Sequence, residues 1–134
     1  DVMPTDGSAK LARQAEVLIG RPVRVMLFQE LEADSAFDGV WAQASLLHVP
    51  RPELPDVFAR TRRALRTGGI IHATFKAGDA EGHDGFGRYY NYPSAEWLSE
   101  LLTNGGWGNI AISESDGGGY DGKPTRWLTV SAER

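Results

Sequence analysis

Apolar residues recur along the chain with two different periods, and the switch between them marks out the elements. Leu11, Ala12, Ala15, Leu18 and Ile19 share one helical face. Asp6-Gly7-Ser8 turns the chain ahead of them, where Asp and Ser side chains accept from the free N–H groups of a helix start. Gly20 and Pro22 stop that helix, and Val23 to Phe28 is a short β-rich run. Phe37 to Ala44 is mostly apolar and reads as a buried strand. Leu54, Val57, Phe58, Thr61 and Leu65 form a second helical stripe, with Pro52 in its first turn and arginines crowding its end. Gly68-Gly69 should end that helix before the strand Ile70–Phe75. Ser94 caps a third helix carrying Trp97, Leu98, Leu101 and Leu102. Trp107–Ser115 and Thr125–Ala132 read as strands joined by a Gly-rich hairpin turn. With Asp1–Thr5 as the end of a first strand, the predicted order is β-α-β-β-α-β-α-β-β. That is an α/β domain with a largely parallel sheet and an antiparallel end.

Composition narrows the function classes. A chain of 134 residues carries one core, so residues 1–134 are expected to form a single domain. No stretch approaches the ~20 apolar residues of a membrane-crossing helix. Residues 1–6 lack the basic start and apolar run of a signal peptide, so a cytoplasmic protein is expected. There is no cysteine, which excludes thiolate catalysis and Cys-ligated zinc. Three scattered histidines, His48, His72 and His83, have no metal-ligand spacing, and no metal is expected. The net charge of −4 argues against a nucleic-acid partner. One segment stands apart: Lys76 to Pro93 is long, rich in glycine and aromatics, and follows a strand. Connections of that length in compact domains are often functional.

Three stretches carry a family resemblance. They are Phe37-Asp38-Gly39-Val40-Trp41-Ala42 with Ser45-Leu46-Leu47-His48-Val49, then Arg63 to Ile71, and then the closing strands with Glu114 and Pro124 to Leu128. In the second stretch Thr67 stands where the family's helix-to-strand turn, L-x-P-G-G, has proline. On these residues the whole chain resembles a class I S-adenosylmethionine-dependent methyltransferase of the small tellurite-resistance type. The resemblance implies a Rossmann-like methyltransferase sheet, mostly parallel with an antiparallel C-terminal hairpin. It also implies that the first βα unit, with the family's Gly-rich cofactor turn, is absent from residues 1–134. A sheet lacking that strand has exposed edges, and such edges favour association, here as a homo-oligomer.

The resemblance also distributes roles. Asp6 stands where the family places an acidic residue for the cofactor's ribose, with Gly7 and Ser8 beside it; the alternative for Asp6 is a helix cap. Phe28 and Gln29 would line the adenine pocket, or Phe28 would simply pack in the core. Gln43, Ala44 and Ser45 would pass the methionyl part of S-adenosylmethionine at the carboxyl end of a strand, where open α/β sheets bind ligands. His48 would face the methyl acceptor as a base, or serve structure alone. Lys76, Arg88, Tyr89, Tyr90 and Tyr92 would border a small-molecule acceptor under a lid-like loop, or only pack on the domain. The implied function is methyl transfer to a small molecule. The competing one is a non-catalytic scaffold or degenerate nucleotide-binding module that assembles through its open sheet edge.

Overall fold

The computed structural model describes residues 1–134 in two compact units, Asp1–Glu32 and Ala33–Arg134. The first unit is a small βαβ piece. Strand β1 (Thr5–Asp6) leads into helix α1 (Ala9–Ile19), and β2 (Arg24–Val25) returns parallel to β1. Ser8 is the N-cap of α1: its hydroxyl accepts from the Leu11 N–H at 3.4 Å. Gly20 closes α1 in the left-handed region, and the Glu16 carboxylate then accepts from the Val23 N–H. The expected apolar stripe of α1 is only partly buried. Ala12 is inside, whereas Leu11 and Ile19 are half exposed and Leu18 is 86% exposed. Two-residue strands offer too little surface within this unit to cover that face. The expected strand Val23–Phe28 shortens to Arg24–Val25, because Phe28–Glu30 turns into a 3-10 helix held by the Glu30 carboxylate on the Leu27 N–H.

The second unit is built on a four-stranded sheet in the order β3-β4-β8-β7. Strand β3 (Phe37–Ala42) lies parallel to β4 (Leu65–Lys76) and forms one edge of the sheet. Helix α2 (Leu54–Ala64) connects them. After the small hairpin of β5 (Gly82–His83) and β6 (Tyr89–Tyr90), helix α3 (Ala95–Asn104) leads to β7 (Gly108–Gly118) and β8 (Pro124–Glu133). Strand β8 pairs antiparallel with both β4 and β7, which is the expected C-terminal hairpin. This α/β, Rossmann-like arrangement with its antiparallel end is the fold class expected from the sequence.

Two boundaries differ from the periodicity reading. Strand β3 stops at Ala42, two residues early, because Ala44 takes a left-handed conformation at φ 47°. Leu46–His48 is a 3-10 turn. The pair Gly68-Gly69 does not end α2, which already stops at Ala64. Instead it sits in an irregularity of β4: while β3 advances from Phe37 to Gly39, β4 advances from Leu65 to Ile70. A Cβ on Gly69 would meet the Arg66 carbonyl at 2.9 Å and the Asp38 carbonyl at 3.2 Å, so this close approach requires glycine.

The core lies on one sheet face. Ile71 opposes Ala132, Ala73 opposes Val130 and Phe75 opposes Leu128, and none of the six is more than 1% exposed. Helices α2 and α3 bury Leu54, Val57, Phe58, Leu98 and Leu102 in the same core. On the opposite face Trp41 stacks on His72 at 3.9 Å and remains exposed. The Arg134 guanidinium ties the chain's last residue to the carbonyls of Arg63 and Leu65, where α2 hands over to β4. Replacing Leu128 by Ala removes a fully buried side chain opposite Phe75. It is expected to cost ~2–5 kcal/mol in urea unfolding, with an unchanged denaturant slope.

Candidate active site

In the first unit the carboxyl ends of two parallel strands bring together part of the expected set. The Met26 N–H donates to the Asp6 carbonyl, which holds the chain after β2 against the end of β1. Asp6 turns its side chain forward, and its Oδ1 accepts from the Ser8 N–H at 2.7 Å. The helix cap itself is Ser8, so Asp6 braces the cap and leaves Oδ2 without a protein partner. Gly7 approaches the Leu27 side chain so closely that a Cβ would stand 3.0 Å from it. The turn bearing Phe28 and Gln29, both half-buried, begins at that leucine.

In the second unit the carboxyl ends of β3 and β4 carry the rest. The Ala44 N–H donates to the hydroxyl of buried Thr74 on β4 at 2.8 Å. That bond supports the left-handed Ala44, and a non-glycine residue in this region marks stored strain of the kind found at ligand sites. Gln43 is exposed, and Ser45 precedes the 3-10 turn that presents His48, without a capping bond from its side chain.

Segment 89–92 is clamped onto this turn. Asn91 is fully buried, and its side-chain amide donates to the Leu46 and Val49 carbonyls at 2.9 and 3.0 Å. Its own N–H donates to the Leu47 carbonyl, and its Oδ1 has no hydrogen-bond partner. The Arg51 guanidinium donates to the carbonyls of Asn91 and Tyr92, each at 2.9 Å, and lies over the Trp97 ring. The Tyr89 hydroxyl donates to Glu81 at 2.5 Å and accepts from the Arg51 N–H. Asn91 and Arg51 gave no sign in the sequence; an Asn between tyrosines and an Arg before Pro52 are unremarkable until the fold joins them.

The clamp gathers an aromatic and cationic rim. His48 Nδ1 lies 2.8 Å from the Tyr89 carbonyl, and its ring packs on Tyr90 at 4.6 Å. Tyr90 stacks on Tyr92 at 5.3 Å, and Lys76 Nζ lies 4.5 Å from the Tyr90 ring centre. Arg88 sits among Phe86, Tyr90 and Tyr120 and is held by Asp84 at 2.6 Å. Thus His48, Lys76, Arg88, Tyr89 and Tyr90 lie together in this rim, joined by Phe86 and Tyr120, two exposed aromatics. Tyr120 reaches the rim from the β7–β8 turn, which local sequence does not reveal. Burial pushes the phenols of Tyr89, Tyr90 and Tyr92 up, so they are protonated donors at neutral pH. No group of acidic and histidine side chains forms a metal site.

Comparison with known proteins follows this geometry. Residues 1–73 match the model of the methyltransferase domain family. That match covers more than half of the chain, and the chain belongs to this family. Among solved structures it is similar to a SAM-dependent methyltransferase from Methanosarcina mazei, at TM-score 0.85 and 17% identity, over 97% of this chain and 80% of that one. It is similar to an S-adenosylmethionine-dependent methyltransferase from Mesorhizobium loti, at TM-score 0.76 and 16% identity, over 99% and 80% of the two chains. A third is the 1,6-didemethyltoxoflavin-N1-methyltransferase of Burkholderia thailandensis, solved with 1,6-didemethyltoxoflavin and S-adenosylhomocysteine. There the TM-score is 0.71 and the identity 20%, over 97% of this chain and 59% of that one. At these identities the likeness is one of fold. A search of the curated proteins found no match. No helix is long and apolar enough to cross a membrane.

The Asp84–Arg88 pair makes the hairpin sensitive to acid. Desolvation raises the Asp84 pKa, but hydrogen bonds from the Arg88 guanidinium and from the Arg88 and Phe86 N–H groups outweigh it, and the pKa falls from 3.8 to about 2. A depressed carboxyl stabilises the native hairpin above its unfolded pKa and loses that contribution as pH falls through the native one. The Phe86 and Arg88 amides are therefore expected to keep their protection from hydrogen exchange above pH ~4 and to lose it towards pH ~2. An NMR titration of the Asp84 carboxyl checks this.

Proposed function

We propose that this chain is the core of an S-adenosylmethionine-dependent methyltransferase acting on a small-molecule acceptor. The observation that carries the reading is Asp6. It stands at the carboxyl end of β1 with one oxygen fixed by the Ser8 N–H and the other without a protein partner. A ribose diol needs such an acceptor, and ligands of open α/β sheets bind outside the carboxyl ends of the strands. The residues present fit the donor: Asp6 would accept from its ribose hydroxyls, while Phe28 and Gln29 would border its adenine. By the family resemblance, Gln43, Ala44 and Ser45 would take its methionine part.

When bound, S-adenosylmethionine supplies a sulfonium methyl group: a bond from the acceptor to carbon forms as the carbon–sulfur bond breaks, and the electron pair leaves with sulfur. The chain's own residues align the acceptor, exclude water and take up a proton. The rim of His48, Lys76, Arg88, Tyr89 and Tyr90 is the acceptor side in this reading. The finer membership of the tellurite-resistance type rests on the resemblance of residues 37–49 and 63–71 alone. The open edge of β3 supports one more element of the proposal, that a further strand pairs there, from a second copy or another segment. A cytoplasmic protein without nucleic-acid or membrane partners completes it.

Calorimetric titration with S-adenosylhomocysteine tests the reading. The chain is expected to bind it, and Asp6→Ala is expected to weaken binding about tenfold or more while unfolding at a similar temperature. Absence of binding would leave the scaffold as the better account.

A further inference from the structure

The rim described above is more specific than an acceptor side in general. It has three parts grouped about one ring, Tyr90: an oriented imidazole, an ammonium without a carboxylate partner, and a set of aromatic faces.

His48 comes first. A carbonyl oxygen only accepts, so the 2.8 Å contact with the Tyr89 carbonyl requires that Nδ1 carry the proton. In the neutral ring, Nε2 then holds the lone pair. His48 is exposed, and no protein group engages Nε2. The Tyr90 ring against the imidazole, and the Asn91 bonds to Leu46 and Val49, fix the ring and the turn that carries it. The phenols nearby cannot take this role, because burial holds them protonated.

Lys76 comes second. It is half-buried at the end of β4, with Nζ over the Tyr90 ring and 5.9 Å from the Trp127 ring centre. It makes no ion pair, whereas Arg88 beside it is neutralised by Asp84. Asp121 also lies beside the Gly119 turn that Nζ approaches, but it pairs with Lys123, and no carboxylate pairs with this half-buried ammonium, whose charge is left to be met by an incoming anion. The aromatic faces come third. Phe86 and Tyr120 meet edge to face at 5.9 Å, and both are largely exposed, as Tyr90 and Tyr92 are not. Exposed rings at a rim suit a planar ligand.

We propose that the acceptor is an aromatic carboxylate bearing a hydroxyl or N–H, with its carboxylate on Lys76 Nζ and its proton taken by His48 Nε2. The proposal rests on the methyltransferase reading for the reaction, but not for the binding. The acceptor oxygen or nitrogen forms its bond to the methyl carbon, and its proton moves to Nε2. From there the exposed imidazole releases it to water, and the base is restored.

The test uses the full chain with 15N-labelled histidine and two probes of one shape, 4-hydroxybenzoate and 4-hydroxybenzamide. Without probe, the neutral His48 ring is expected as the Nδ1–H tautomer; the Nε2–H tautomer would overturn the base. The carboxylate is expected to shift the Nε2 resonance and to bind about tenfold tighter than the amide. Lys76→Gln should remove that margin, and Lys76→Arg should keep it. Equal binding of the two probes, no binding of the carboxylate, or a margin that survives Lys76→Gln would each overturn the proposal. S-adenosylhomocysteine binding by the same samples separates the two readings. If the carboxylate behaves as expected and the nucleoside does not bind, the donor falls and the anion site stands; the reverse removes the acceptor alone.

Discussion

The second unit depends on the side chain of Asn91. An amide buried to 0% exposure must spend its donors on protein acceptors, and Asn91 spends both on the carbonyls of Leu46 and Val49. Those carbonyls belong to the turn after β3, and Asn91 belongs to the segment after β6. One side chain thus joins two loops that the sequence separates by more than forty residues. The positions of His48, Tyr89 and Tyr90 follow from that junction. Arg51 adds a second tie from the same turn, through the carbonyls of Asn91 and Tyr92. Without these bonds the long Gly-rich connection would have little to fix it, since its own strands are only two residues each.

Two of the four non-glycine residues with positive φ lie beside the rim, and the other two, Ser35 and Asn109, lie elsewhere. Ala44 and Tyr92 both have positive φ without being glycine. Each is overruled by a specific partner: Thr74 holds the Ala44 amide, and Arg51 holds the Tyr92 carbonyl. Specific partners thus hold both strained residues in place at the end of the sheet that carries the rim. Arg88 is satisfied by Asp84, and that pair anchors the hairpin, whereas Lys76 lies over the Tyr90 ring with no carboxylate paired to it.

Most of the architecture was legible in the pattern of residues. The stripe Leu54, Val57, Phe58 and Thr61 is buried as its spacing implies, and Ser8 and Ser94 cap the helices they precede. Strand ends were less legible, because they are set by tertiary contacts. Thr74 decides where β3 stops, and the close approach of Asp38 and Arg66 to Gly69 decides how β4 begins. The stripe on α1 misled in a different way: periodicity reports a face fit for burial, and the two-residue strands of that unit cannot cover it. In the candidate site, residues next to one another in the chain or at strand ends were readable. Asn91, Arg51, Phe86 and Tyr120 were not, because their roles arise from contacts between distant segments.

The central claim is that Asp6 and its turn hold the nucleoside of a methyl donor. Ultraviolet cross-linking of radiolabelled S-adenosylmethionine, followed by mapping of the labelled peptide, tests it most directly. The account predicts label on the peptide containing Asp6 to Lys10 or on that containing Phe28 and Gln29, abolished by excess S-adenosylhomocysteine. Label that survives the competitor, or that falls only on segments remote from these residues, would contradict it.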